Sequence, residues 1–287
     1  MIDRCYLEIT NSCNLSCAFC PKYSRKRRML TLQEFEHLTD KLQGRVHFLY
    51  FHLMGEPMLH PLLPQFIECA RNKGFFTILT TNGTQLQRAD EMLNALPHKI
   101  QLSLHSHEGN GRNNLEEYVQ QVMQFAVEAA DRGTCIVLRL WNQGGLDSEN
   151  QQLEQLLEQY TPRPWVQRPD GYRLRPNIYL EFSRKFEWPD AEKQATAKES
   201  FCKALIKQIG VLVDGSLVPC CLDCEGKVVL GNLFTQSLDE ILSSPRARAL
   251  VDGFAQHRAV ESLCQNCESA SVSKSFRGNS RKSDNKH

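Results

Sequence analysis

Strand-like and helix-like segments alternate along most of this chain, and the alternation limits the folds open to it. Cys5–Ile9, Val46–Leu53, Phe75–Thr80, Lys99–His105, Thr134–Trp141 and Asn177–Phe182 read as strands, rich in β-branched and aromatic residues. Between them lie helical patterns. Thr31-Leu-Gln-Glu34 is a capping box opening a helix that ends near Gly44. Leu62–Lys73 stops at Gly74, Leu86–Leu96 at Pro97 and Leu115–Arg132 at Gly133, and Ser148–Tyr160 precedes the last strand. Strands joined by helices pair in parallel with right-handed crossovers. Six such units fall short of the eight that close a TIM barrel. The expectation is an α/β fold, a partial (βα)6 TIM-like barrel over residues 1–200. A chain of 287 residues, 41% hydrophobic, has room for that domain and a small second one. Net charge is +1, so nothing at whole-chain level suggests a nucleic acid or membrane partner.

The loop after the first strand reads Cys13-Asn-Leu-Ser-Cys17-Ala-Phe-Cys20. Three thiolates at C-x3-C-x2-C spacing suit three corners of an iron–sulfur cube, leaving the fourth iron an open position. Zinc favours four ligands and C-x2-C pairs, of which the loop has one, Cys17 and Cys20. The chain opens Met-Ile-Asp-Arg-Cys, with no apolar leader, and no apolar run reaches membrane-spanning length. The expected location is therefore cytoplasmic. There, twelve cysteines argue for metal rather than disulfides.

The loop resembles the cluster signature of the radical S-adenosylmethionine (radical SAM) enzymes, whose aromatic residue before the third cysteine is matched by Phe19. The resemblance implies a SAM-binding [4Fe-4S] cluster on Cys13, Cys17 and Cys20, and reductive cleavage of SAM to a 5′-deoxyadenosyl radical. It directs attention to the strand ends. Gly55-Glu56-Pro57 resembles the family's Gly-Gly-Glu-Pro motif for the SAM amino group, with Met54 in place of the first glycine. Thr80-Thr-Asn-Gly83 reads as backbone shaping. Ser103 and Arg139, on the fourth and fifth strands, are the candidates for SAM's ribose and carboxylate; pairing of Arg139 with a barrel glutamate is the plain alternative. His52, His105 and His107 point toward the same mouth.

Past residue 200, Cys202, Gly215, Cys220 and the pair Cys264 and Cys267 resemble the auxiliary-cluster extension called SPASM or twitch. The implied domain covers residues 201–270 and holds a second [4Fe-4S] cluster on Cys202, Cys220, Cys264 and Cys267. No cysteine follows Cys267, which favours the shorter, single-cluster form. Cys221 and Cys224 are alternative ligands or free thiols. Asp223 is a candidate base, or an ordinary turn aspartate. The run Lys22–Arg28 reads as a solvated loop, a docking patch for a flavodoxin- or ferredoxin-type electron donor, or a substrate clamp. Residues 271–287 read as a basic, disordered tail. Relatives with this extension oxidise or modify peptides and proteins, or act on small molecules. The leading expectation is a peptide or protein maturase, followed by a small-molecule dehydrogenase or cofactor-biosynthesis enzyme. A non-catalytic iron–sulfur sensor or carrier is the reading from a different class.

Overall fold

The computed structural model describes residues 2–193, 200 and 202–271. The tail expected to be disordered lies, from residue 272 on, outside the described residues. The elements run β1 (Ile2–Leu7), α1 (Leu32–Leu42), β2 (Val46–Tyr50), α2 (Leu63–Asn72), β3 (Phe76–Thr81), α3 (Ala89–Asn94), β4 (Lys99–Ser103), α4 (Ser106–Gly109), α5 (Leu115–Asp131), β5 (Cys135–Gln143) and α6 (Asn150–Tyr160). They continue with β6 (Val166–Arg168), β7 (Gly171–Arg175), β8 (Ile178–Arg184), β9 (Gln208–Val211), β10 (Ser216–Val218) and β11 (Gly231–Asn232). Four helices end the described chain: α7 (Leu238–Leu242), α8 (Pro245–Ala255), α9 (Ser262–Gln265) and α10 (Glu268–Ser271). None of the helices is long and apolar enough to cross a membrane, among the described residues.

β1 to β5 and then β8 pair in parallel in that order, the expected partial barrel. Two additions go beyond the six expected strands. β6 and β7 form an antiparallel hairpin that extends the sheet beyond β8. Its turn sequence, Pro169-Asp170-Gly171, is a turn signal in its own right. At the other edge β9 pairs in parallel with β1 and carries β10 and β11, so the C-terminal extension continues the same sheet.

Alternation along the strands separates two environments. Cys5, Leu7, Leu49, Phe51, Leu79, Leu102, Leu138 and Leu180 are buried in the continuous apolar core. Phe35 of α1 stacks on Phe51 and on Phe66 of α2, with ring centroids 5.9 and 4.3 Å apart. The alternate residues form a polar face: Arg4, Tyr6, Tyr50, His52, Gln101, Arg139 and Glu181. A closed TIM barrel fills its interior with apolar layers; here polar side chains line the barrel chamber instead. The capping box forms as expected, with Thr31 accepting from the Glu34 amide and Glu34 from the Thr31 amide.

Candidate metal centre and SAM site

Two structural neighbours fix the cluster loop from opposite sides. On one side, the Ser16 amide donates to Asn110 Oδ1 (2.9 Å), the Ala18 amide to the Gly109 carbonyl (2.8 Å), and Asn110 Nδ2 to Cys17 Sγ (2.9 Å). Phe19 covers Gly109 so closely that a Cβ there would lie 2.4 Å from its ring, and it also packs on His105 (4.9 Å). On the other side, Trp188 Nε1 donates to the Phe19 carbonyl at 3.0 Å. The Cys17 thiol is drawn down to about 7 by hydrogen bonding to Cys20 and, against burial, to Asn110. Cys20 moves upward as the other member of that pair. Among the described residues no three His, Cys, Asp or Glu side chains converge on one metal-sized point. The fit to a cluster rests on the donor set: three thiols on a short loop, two of them already receiving amide hydrogen bonds, Cys17 from Asn110 and Cys13 from the Leu15 amide at 3.4 Å, as cluster sulfurs do.

Gly55 lies against the start of that loop. Its φ is +81°, and a Cβ would sit 2.3 Å from the Thr10 carbonyl oxygen. The Glu56 amide donates to the Ser12 carbonyl at 2.8 Å. The Glu56 carboxylate turns inward and is 2% exposed. It accepts from the amides of Met58 (3.0 Å) and Asn82 (2.8 Å), and burial raises it to about 7. Glu56 thus ties the end of β2 to the end of β3. Asn82 continues the tie, donating to Asn14 Oδ1 (3.0 Å) while its carbonyl accepts from Tyr118 (2.9 Å) and Ser106 (3.2 Å). The Thr80–Gly83 segment therefore shapes backbone, as its sequence suggested, and also braces the cluster loop.

Ser103 and Arg139 stand opposite each other in the β4–β5 register. Arg139 is 9% exposed, stacks over Trp141 (3.3 Å) and donates to Gln101 at 3.5 Å, while its Nε is buried without a partner. Glu181 is its register partner on β8, yet the two make no ion pair within 4 Å among the described residues. Burial lowers Arg139 to about 10. Deeper in the chamber Tyr6 and Tyr50 stack at 4.6 Å beside His52, whose Nδ1 is also buried and unpartnered. Burial holds His52 down to about 3, so its ring stays neutral. Of the other histidines, His105 Nδ1 meets the Arg139 carbonyl (3.0 Å) and His107 Nδ1 meets Glu149 (2.8 Å); both brace the mouth.

The C-terminal thiols form a second group. Burial raises Cys202, Cys220 and Cys264, and Cys202, Cys264 and Cys267 lie close enough to add to it. The Cys267 amide donates to the Cys264 carbonyl at 3.3 Å. Cys221 lies beside this group, near Cys220 and Cys267, but it and Cys224 also reach other partners. Cys221 faces the chamber, where Tyr6 hydrogen-bonds it, although burial dominates and raises it to about 11. Cys224 packs with Leu53, Met54, Leu212 and Val218, on the side toward Cys20. Asp223 sits as a buried turn aspartate, one of its two sequence readings. It is 1% exposed, and its two oxygens accept the amides of Lys227 and Val228, both at 2.8 Å. Both bonds fold its own loop.

The basic run corrects an expectation. Arg25 pairs with Glu8, Arg27 donates to the Asn11 carbonyl and Tyr23, and Arg28 to the Val213 carbonyl and Glu34. Arg25 and Arg28 strap the cluster loop to the C-terminal extension, and Arg27 bonds Asn11 and, within the run, Tyr23 while staying exposed, as do Lys22 and Lys26. Sequence patterns gave no warning of Glu8, Asn110 or Trp188, because their roles depend on contacts across 17, 93 and 169 residues.

Comparison with known proteins agrees with this geometry. The model of the radical SAM superfamily matches residues 7–146, and that of the SPASM iron–sulfur cluster-binding domain matches residues 202–268. A cofactor-modifying protein for tungsten-containing aldehyde ferredoxin oxidoreductase, from Pyrococcus furiosus, is 34% identical over 95 residues. That stretch covers 32% of this chain and 26% of the relative. Among solved structures, BtrN in complex with AdoMet and 2-DOIA is similar with a TM-score of 0.64 at 17% identity, covering 93% of both chains. Native anSMEcpe with bound AdoMet and Cp18Cys peptide gives 0.62 at 13%, covering 96% of this chain and 95% of that one. A SAM-coordinating [4Fe-4S] cluster, SAM itself and auxiliary iron–sulfur binding come with these two domains. The chain belongs to the radical SAM superfamily and carries a C-terminal SPASM-type cluster domain.

Proposed function

We propose that this chain is a radical SAM enzyme that oxidises or rearranges a compact polar molecule held in the barrel chamber. The observation that carries the reading is the chamber lining. His52 Nδ1 is buried without a partner beside the stacked Tyr6 and Tyr50, and Arg4, Glu181 and the Cys221 thiol share the space. Buried polar atoms cost free energy unless something bonds them, and a hydroxylated or charged substrate satisfies them. SAM bound at the cluster supplies, on one-electron reduction, a 5′-deoxyadenosyl radical able to take a hydrogen atom from that substrate.

Cys13, Cys17 and Cys20 hold the SAM cluster in this reading, and Cys202, Cys220, Cys264 and Cys267 the auxiliary one. Both Glu56 oxygens are taken by backbone amides, so Glu56 acts on SAM through the backbone it fixes at Gly55 and Pro57. Arg139, with its free Nε, takes the SAM carboxylate beside Ser103. Neutral His52 and the two tyrosines orient the substrate. A flavodoxin- or ferredoxin-type protein supplies the electron. The domains divide at about residue 200.

Peptide or protein modification is the second reading, favoured by the similarity to anSMEcpe with its bound peptide. One experiment tests both. Anaerobically reconstituted protein is given SAM, dithionite and either the dialysable or the macromolecular fraction of a cell extract, and 5′-deoxyadenosine is quantified. Stimulation by the dialysable fraction supports the small-molecule reading. Stimulation by the macromolecular fraction alone overturns it in favour of the maturase. No 5′-deoxyadenosine from iron-loaded protein under any condition favours a sensor or carrier.

A further inference from the structure

The Glu8 side chain is fully buried just past β1, and three other segments bond it. Arg25 grips it with both guanidinium nitrogens, Nη1 to Oε2 at 2.7 Å and Nη2 to Oε1 at 2.6 Å. The Met54 amide donates to Oε1 at 3.1 Å and the Val213 amide to Oε2 at 3.0 Å. Arg25 then spends its Nε on the Cys224 carbonyl, at 2.7 Å. Burial pushes the carboxyl upward. The guanidinium fork and two amides oppose that and hold the ionised form.

The partners are not arbitrary. Glu8 precedes Cys13 on the strand that feeds the cluster loop, and Arg25 follows Cys20 on the segment that leaves it. Met54 adjoins Gly55, which touches the loop at Thr10. Val213 and Cys224 belong to the cluster-binding extension. One ion pair therefore joins both flanks of the SAM-cluster loop, the SAM-motif turn and the auxiliary domain. A carboxylate in such a place costs desolvation that an apolar residue would not. What the ionic pair supplies instead is fixed geometry and a compensated charge on the segments that flank the cluster loop.

We propose that Glu8 is a positioning residue: paired with Arg25, it locks the SAM-cluster loop to the auxiliary domain and neutralises a guanidinium that would otherwise raise the cluster's reduction potential. The proposal rests on the cluster sites and holds for any substrate. Losing the carboxylate charge leaves Arg25 uncompensated, and a nearby cation stabilises the reduced, more negative cluster. Loosening the fork lets the loop and the Gly55 turn drift apart, and small misplacements near reacting atoms cost large factors in rate.

The test compares the parent with Glu8→Gln, Arg25→Lys and the double variant Glu8→Gln/Arg25→Gln, all full-length and anaerobically reconstituted. Iron and sulfide per chain are matched first. The readouts are the midpoint potential of the SAM cluster, the change in its reduced-state EPR spectrum on adding SAM, and substrate-free 5′-deoxyadenosine formation. Glu8→Gln is expected to raise the potential and to lower 5′-deoxyadenosine formation by roughly tenfold. The double variant should restore the potential, because the charges cancel again. Arg25→Lys keeps the charge but loses the fork, so its potential should stay parental while its SAM-dependent EPR change and rate fall. A loaded Glu8→Gln protein with parental potential overturns the electrostatic role. A loaded Arg25→Lys protein with parental EPR response and rate overturns the positioning role. If Glu8→Gln does not load, Arg25→Lys and the double variant decide alone, and a double variant parental in EPR response and rate overturns the lock.

Discussion

Two residues near the SAM motif show how close contact and burial set function at this scale. Gly55 combines a left-handed φ with a Cβ position 2.3 Å from the Thr10 oxygen. Gly55→Ala must move the cluster loop or itself, and should destabilise the fold by about 2 kcal/mol. Thermal unfolding of the reconstituted protein and its SAM affinity measure the two consequences; an unchanged SAM affinity would place the motif elsewhere. Glu56 carries a pH signature. Burial raises it to about 7, above an unfolded value near 4.5. A raised carboxyl binds protons more tightly when folded, so its contribution is fully present below about pH 4.5 and is lost as pH rises toward 7. Glu56→Gln cannot titrate. Its stability curve should therefore be flatter than the parent's between those values, as chemical denaturation at a series of pH values would show.

Among the elements, α1 illustrates a helix specified locally and used globally. Its capping box satisfies the first-turn donors, and Arg28 of the strap reaches Glu34 of the same box. Thr31→Ala should cost about 1 kcal/mol. The loss should appear in the unfolding midpoint and leave iron content untouched, since α1 packs through Phe35, Leu38 and Leu42 on the far side of β1 and β2. The strap from Lys22 to Arg28 behaves differently. Its composition suggests a solvated run, yet its arginines bond to Glu8, Asn11, Val213 and Cys224.

For the whole molecule, the two thiol groups predict how iron should partition. Cys264→Ser should remove the auxiliary cluster and leave the SAM cluster, halving iron per chain from about eight to about four. Cys221→Ser and Cys224→Ser should each retain full iron, because Cys221 faces the chamber and Cys224 the Leu53–Met54 cluster. Iron and sulfide analysis checks all three. Full iron in Cys264→Ser, or a halved content in Cys221→Ser, would reassign the ligand set.

The barrel, the cluster loop and the cysteine-rich extension were legible in the sequence. Each is encoded by local pattern: strand–helix alternation, C-x3-C-x2-C spacing and the Cys202–Gly215–Cys220 interval all lie within short stretches of chain. The roles of single polar residues were not. Asp223 read as a possible base or a turn aspartate and Glu56 as a ligand for an ammonium group; the fold adds backbone amides from Lys227 and Val228 on the first and from Met58 and Asn82 on the second. Those amides are supplied by loop geometry that no spacing reveals. Nor does alternation say that β9 pairs with β1 and extends the same sheet, or that Cys221 meets Tyr6 of β1. Cysteine spacing restricts the chemistry to metal or cluster binding before any fold is known, because few other uses need thiols at those intervals. Which polar side chains stay unbonded depends on the fold, because hydrogen bonds between distant segments, such as Arg25 to Glu8 and Trp188 to the Phe19 carbonyl, consume the rest.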